Sequence, residues 1–258
     1  MSAVLRVEQL SRVFHHRIGW FKTSPNFAVE DVSFAIEAGK TLAFMGANGS
    51  GKSTLAALIG GALPPTRGKI YLDGKELADS DIRRRAQYIR MIFQDAEGSL
   101  NPNLTIGKQL HEVLHFNTKL TEKQVDDLIS RTLKRVGLLN EHRRFYPYML
   151  TNSQRQRACI ARAIILNPKV IVSDEALAIL DTSVRAQILN LLMDLQEELN
   201  ISYIFMTHSP EIARHMADDV AIMKDGKIIE FGTTKSVLES PENPYTRNLV
   251  NAAPELST

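Results

Sequence analysis

The stretch Gly46-Ala47-Asn48-Gly49-Ser50-Gly51-Lys52-Ser53-Thr54 has the residue types and spacing needed to hold phosphate. Gly46, Gly49 and Gly51 let the backbone curl until its amides converge on anionic oxygens. A helix starting where the curl ends adds the positive pole of its peptide dipoles. Lys52 reaches toward the β and γ phosphates of a nucleoside triphosphate, and the Ser53 hydroxyl suits Mg²⁺. Three further polar groups stand at the ends of apolar runs. Asp174-Glu175 follows Val170-Ile-Val-Ser, His208 follows Tyr203-Ile-Phe-Met-Thr, and Gln94 follows Ile89-Arg-Met-Ile-Phe. Strand ends of open α/β sheets face the ligand crevice, which puts Asp174 beside the metal and Glu175 one position out, where it polarises an attacking water. His208 is placed for a γ-phosphate, and Gln94 for a metal ion or water. The glycine loop alone is shared by kinases, GTPases, helicases and transport ATPases, so these partner groups decide.

The elements that must position them are legible in outline. Thr41-Leu-Ala-Phe-Met precedes the loop and Leu55-Ala-Ala-Leu-Ile follows it, which reads as strand, turn, helix. Short runs at 4–7, 28–34, 69–73, 89–93, 170–173, 203–206, 220–223 and 227–231 read as strands, the last two joined by Lys224-Asp225-Gly226. Residues 95–163 change to helical periodicity, and 183–199 are helical again. The fold class expected is α/β: a parallel nucleotide-binding core interrupted by a mostly helical insertion.

Composition sets outer bounds. At 44% hydrophobic and 23% charged, the chain can bury a sizeable core, and a formal charge of +2 does not call for nucleic acid. Arg83-Arg84-Arg85 and Arg155-Gln-Arg157 read as solvated or locally paired faces. The single cysteine, Cys159, reads as a small buried residue and excludes an intrachain disulfide or a cysteine metal cluster. The opening residues lack a basic-then-apolar leader, and no apolar run approaches the ~18 residues of a membrane span. A soluble, cytoplasmic protein is expected.

The ordered set of residues 46–54, Gln94, Leu150–Gln154, Asp174-Glu175, Asp181 and His208 resembles the ATPase subunits of ABC transporters over essentially the whole chain. Arg17-Ile-Gly-Trp-Phe21, Ile92-Phe-Gln-Asp-Ala-Glu-Gly-Ser-Leu-Asn-Pro102 and Asn243-Pro-Tyr-Thr-Arg-Asn-Leu249 are similar to the oligopeptide, dipeptide and nickel importer group. Asp174-Glu-Ala-Leu-Ala178 and Ile201-Ser-Tyr-Ile204 most resemble its Sap-type subunits, linked to antimicrobial-peptide uptake and resistance.

The resemblance implies a P-loop NTPase core with an N-terminal antiparallel β subdomain and an inserted helical subdomain. Its parts would be a first core segment at 1–94, a helical signature subdomain at 95–163, a second core segment at 164–235 and an importer-type tail at 236–258. It implies ATP and Mg²⁺ as ligands, with the metal held by Ser53, Gln94 and Asp174. Glu175 would be the general base, His208 the γ-phosphate sensor, and Asp181 part of a loop crossing to a second ATPase subunit. Phe14, or else Trp20 or Phe21, would stack on adenine. Two transmembrane permeases and a periplasmic or extracellular solute-binding protein complete the implied assembly, at the cytoplasmic face of the membrane. Peptides, haem, polyamines and metal chelates all stay open as cargo.

One segment departs from the family. Its signature is Leu-Ser-Gly-Gly-Gln, whereas this chain reads Leu150-Thr151-Asn152-Ser153-Gln154. Asn152 and Ser153 are residue types that cap helices, yet they add side chains where a helix start must approach the phosphate held by the other subunit. Ala176, Ser209 and Ala96 replace a usual proline, aspartate and proline. Two arrangements are expected to compete: an unlike pair with one weakened site, and a homodimer carrying the altered signature twice. A nucleotide-gated regulatory subunit with weak hydrolysis is the alternative function.

Overall fold

The computed structural model describes residues 3–18, 22–78, 80–93, 95–175 and 181–251. The chain forms two compact units, one of residues 1–82 with 202–258 and one of residues 83–201.

The first unit contains two sheets. One is antiparallel, in the order β2 (Lys22–Glu37), β1 (Ala3–Ile18), β4 (Arg67–Leu72), β5 (Lys75–Glu76). Strands read from the sequence as 4–7 and 28–34 are in fact 16 residues each. The main-chain ladder continues from Phe14↔Asn26 to Ile18↔Lys22, past the point where apolar alternation stops. Gln9 and Asp31 take positive φ at register shifts, where the ladder is locally interrupted.

The other sheet runs β10 (Lys227–Thr233), β9 (Asp219–Lys224), β3 (Thr41–Met45), β8 (Ser202–Thr207). β3 is parallel to both β8 and β9, and all five of its residues are buried, as a strand covered on both faces requires. The β9–β10 hairpin closes through Asp225 and Gly226 at φ 49° and 79°, the left-handed pair that an Asp-Gly turn supplies. Phe34 of β2 meets Phe44 of β3 edge to face at 5.0 Å between centroids, joining the sheets. Helices α1 (Lys52–Gly60), α8 (Pro210–Met216), α9 (Thr234–Glu239) and α10 (Pro244–Asn251) complete the unit.

The second unit pairs β6 (Ile89–Phe93) in parallel with β7 (Val170–Asp174). Around this pair it places α2 (Ile82–Tyr88), α3 (Ala96–Ser99), α4 (Ile106–Asn117), α5 (Glu122–Arg135), α6 (Asn152–Ile164) and α7 (Thr182–Leu199). Leu110, Leu114, Val125, Ile129, Leu133 and Ile160 are buried, each contributing about 1.5–3 kcal/mol by leaving water. Cys159 is buried as well, and burial pushes its thiol up to about 11, so it stays protonated and inert at neutral pH. Among the described residues, no helix is long and apolar enough to cross a membrane.

Candidate active site

Two close approaches dictate the glycines of the loop between β3 and α1. A Cβ on Gly46 would lie 2.3 Å from the carbonyl oxygen of Met223. A Cβ on Gly51, at φ 105°, would lie 2.3 Å from that of Ala28. The loop is therefore pressed against β9 and β2 with no room for a side chain. Main-chain bonds hold it there: Gly226 N–H donates to Ser50 O (3.0 Å) and Glu30 N–H donates to Gly226 O (2.9 Å).

Lys52 is only 4% exposed, and its Nζ donates to Gly46 O (2.9 Å) and Ala47 O (3.1 Å). The ammonium thus already lies within the curl. The amides of Asn48, Gly49 and Gly51 have no hydrogen-bond acceptor among the described residues, and the buried Ser50 hydroxyl also lacks a partner. A preformed concavity with open N–H donors and a buried cation is a cradle for a polyanion.

Parallel pairing brings a second group to the loop. Met45 of β3 is in register with Thr207 of β8, so Gly46 and His208 leave neighbouring strands at the same sheet edge. His208 is exposed. Next to it, Ser209 N–H donates to Thr207 Oγ1 (3.0 Å) and Ser209 Oγ accepts from Ile212 N–H (3.3 Å), capping α8. The serine standing where the family has aspartate thus serves as a competent N-cap.

In the second unit, β7 ends at Asp174, in register with Phe93 of β6. Asp174 and Glu175 are half-buried. Glu175 has φ 49°, a left-handed conformation that costs a non-glycine residue about 1 kcal/mol or more. No motif in the sequence marks this strain, which falls on the residue directly after Asp174. Gln94 and Ala176 lie outside the described residues. Asp181 caps α7, its Oδ1 accepting from Val184 N–H at 2.9 Å.

The signature segment corrects one expectation. Neither Asn152 nor Ser153 is a cap; both lie in the first turn of α6, and the cap is Thr151. Thr151 Oγ1 accepts from Gln154 N–H (3.2 Å), while Gln154 Oε1 accepts from Thr151 N–H (3.0 Å). This is a reciprocal capping box, and the Thr-x-x-Gln spacing already spells it in the sequence. It satisfies the first and fourth amides of the helix start and leaves those of Asn152 and Ser153 without a partner among the described residues. The Asn152 side chain is turned aside, accepting from the Arg155 guanidinium. Leu150 is buried behind the segment. His142, which no sequence motif marks, backs the box: its Nδ1 accepts from Leu139 N–H (2.9 Å), and its ring edge lies 3.4 Å from Gln154 Nε2.

Phe14 is half-buried, with the Arg12 guanidinium 4.9 Å above its ring. Trp20 and Phe21 lie outside the described residues.

A glycine curl between a parallel strand and a helix, with its lysine folded inside, is the architecture of a P-loop nucleoside triphosphatase. A family model described as "ABC transporter" matches residues 29–178, well over half of the chain. The chain belongs to the ABC transporter family and is one of its ATP-binding, ATP-hydrolysing subunits. "Putrescine export system ATP-binding protein SapF" of Escherichia coli K12 is 44% identical over 250 residues, 97% of this chain and 93% of that protein. "Peptide transport system ATP-binding protein SapF" of Salmonella typhimurium LT2 matches with the same identity and coverage. "Dipeptide transport ATP-binding protein DppF" of Haemophilus influenzae is 44% identical over 89% of this chain and 71% of its own length. Among solved structures, cbiO1 from Clostridium perfringens, part of the ABC transporter complex cbiONQ, superposes with a TM-score of 0.80 at 29% identity over 96% of both chains. The dimeric cassette MJ0796 in a post-hydrolysis state bound to ADP and Pi gives 0.77 at 27% identity, over 89% of this chain and 98% of that one. These matches bear out the α/β ABC ATPase fold expected from the sequence.

Proposed function

We propose that this chain drives a Sap-type transporter of cationic cargo by hydrolysing ATP on its own phosphate loop, as one half of an unlike pair of ATPase subunits. The observation carrying this is the contrast between a built cradle around Lys52 and the altered helix start at Asn152-Ser153. Residues 46–54 hold the phosphates. Ser53, Gln94 and Asp174 offer hard oxygen donors, the chemistry Mg²⁺ prefers, and when bound the metal neutralises charge on the β and γ phosphates. Glu175 takes the proton of the attacking water, and His208 contacts the γ-phosphate. Phe14 stacks on adenine with the ring face opposite Arg12. Asp181 and the segment Leu150–Gln154 act on the nucleotide held by the partner subunit.

The helical part at 95–163 faces two permease subunits, and the core segments 1–94 and 164–235 carry the nucleotide. The whole sits peripherally at the cytoplasmic face of the membrane, served by a solute-binding protein. Cationic peptides are the preferred cargo, in keeping with the SapF relatives named for peptide transport. Polyamine transport is a second reading, favoured by the Escherichia coli relative named for putrescine export. ATP hydrolysis by the purified native complex in vesicles, measured with a cationic peptide and with putrescine, separates them. Stimulation by the peptide alone supports the first reading, and stimulation by putrescine alone replaces it with the second.

A further inference from the structure

The tail motif Asn243-Pro-Tyr-Thr-Arg-Asn-Leu249 contributes no reacting group to the proposed hydrolysis. Its tyrosine nevertheless touches the phosphate loop: Tyr245 Oη accepts a hydrogen bond from Ala47 N–H at 3.2 Å. The other end of the same peptide plane, Gly46 O, accepts from Lys52 Nζ at 2.9 Å. In a trans peptide the N–H and C=O point in opposite directions, so the two side chains grip one plane from its two sides. Rotating that plane would break both bonds.

Tyr245 is itself firmly placed. The Glu230 carboxylate accepts from Glu242 N–H (2.9 Å) and Asn243 N–H (3.3 Å), tying the tail to β10. Asn243 Oδ1 accepts from Tyr245 N–H (2.9 Å), fixing the start of α10. Thr246 is fully buried, and the Lys224 ammonium stands 5.1 Å from the centroid of the Tyr245 ring. All of these residues belong to the first unit.

We propose that Tyr245 is a positioning residue for ATP binding, holding the Gly46–Ala47 peptide in orientation so that the loop is preformed when the triphosphate arrives. This deepens the phosphate-loop reading of residues 46–54 and rests on it. As Lys52 turns from Gly46 O toward phosphate, Tyr245 keeps the plane from following. The ordering cost is then met in folding the tail rather than in binding nucleotide. Because the bond is made equally before and after chemistry, its loss weakens nucleotide binding without slowing hydrolysis.

The test is Tyr245→Phe, which deletes only the hydroxyl, beside Thr246→Val, which alters the buried neighbour whose hydroxyl has no partner. The readouts are steady-state hydrolysis by the native complex, ATP and ADP affinities of the full-length subunit, and its melting temperature without nucleotide. Tyr245→Phe is expected to raise KM for ATP about fivefold and to weaken ATP and ADP alike, the size of effect one net hydrogen bond gives. kcat should stay within about twofold and the nucleotide-free melting temperature unchanged, with Thr246→Val matching the parent throughout. An unchanged KM in Tyr245→Phe overturns the proposal alone. A KM that rises only together with a lowered melting temperature reduces Tyr245 to a structural anchor and also overturns it. No nucleotide binding by the unaltered chain overturns the phosphate-loop reading and this proposal together.

Discussion

The phosphate loop and the signature segment are both helix starts, and they are built in opposite ways. The loop relies on missing side chains. At Gly46 and Gly51 a Cβ would run into main-chain carbonyls at 2.3 Å, and the curl survives only because nothing is there. The signature segment relies on present side chains. Thr151 and Gln154 lock the start of α6 by a reciprocal box, Arg155 draws Asn152 aside, and no glycine is needed for the helix to begin. Glycine in the loop is thus a folding requirement of this chain itself. In the signature segment the helix starts without glycine, so on the proposed reading a glycine there would serve the partner subunit's nucleotide and not the fold of this chain.

The largest effect expected lies at Glu175, the proposed general base. Glu175→Gln should lower kcat of the assembled transporter by about a hundredfold or more while ATP affinity stays within about twofold, checked by steady-state rates and nucleotide binding. A fall in affinity of the same size would make Glu175 a ligand-binding group instead. Glycine replacement sharpens the contrast next. Gly46→Ala should abolish ATP binding or folding, because the obstructing Met223 carbonyl is main chain and cannot swing away. Gly74 is the natural control, since a Cβ there meets nothing within 4 Å, though its φ of 72° still leaves a mild strain.

Breaking the box gives a smaller change. Gln154→Ala should cost about 1 kcal/mol and lower the melting temperature of the subunit by roughly 2–4 °C. The smallest effect lies away from both regions, at Asp219. Burial, reinforced by the neighbouring Asp218, raises its carboxyl above the ordinary carboxylate range. An acid with a raised folded-state pKa opposes folding when ionised, at pH above that raised value, and the penalty vanishes below the unfolded-state value. Asp219→Asn should therefore raise the melting temperature slightly near neutral pH and leave it unchanged in acid, where the parent carboxyl is protonated too.

Much of this was legible in the residues. The strand-loop-helix around Lys52, the β9–β10 hairpin and the strand ends carrying Asp174 and His208 all follow from apolar runs closed by specific residues, because buried parallel strands leave little else their sequence can do. The length of β1 and β2 was not legible, since their outer ladder is held by main-chain bonds that any side chain permits. The Thr151–Gln154 box is spelled in the sequence as Thr-x-x-Gln. Tyr245 is far in sequence from Ala47, and no local pattern encodes a contact 198 residues away. The strain at Glu175 is likewise a product of tertiary structure.

On the proposed function, the altered helix start at Asn152-Ser153, and not the phosphate loop, limits what this subunit contributes to its assembly. Its most direct test is steady-state ATP turnover of the native transporter with Asn152→Gly and Ser153→Gly introduced together. In the free subunit, glycine in the first turn of α6 should lower stability by roughly 0.5 kcal/mol per site. In the assembly, turnover should nevertheless rise by about threefold or more, the rate equivalent of ~0.65 kcal/mol regained at the partner's phosphate. An unchanged or lower turnover in a fully assembled complex would contradict the claim, making Asn152 and Ser153 an equivalent form of the signature and removing the reason to invoke an unlike pair.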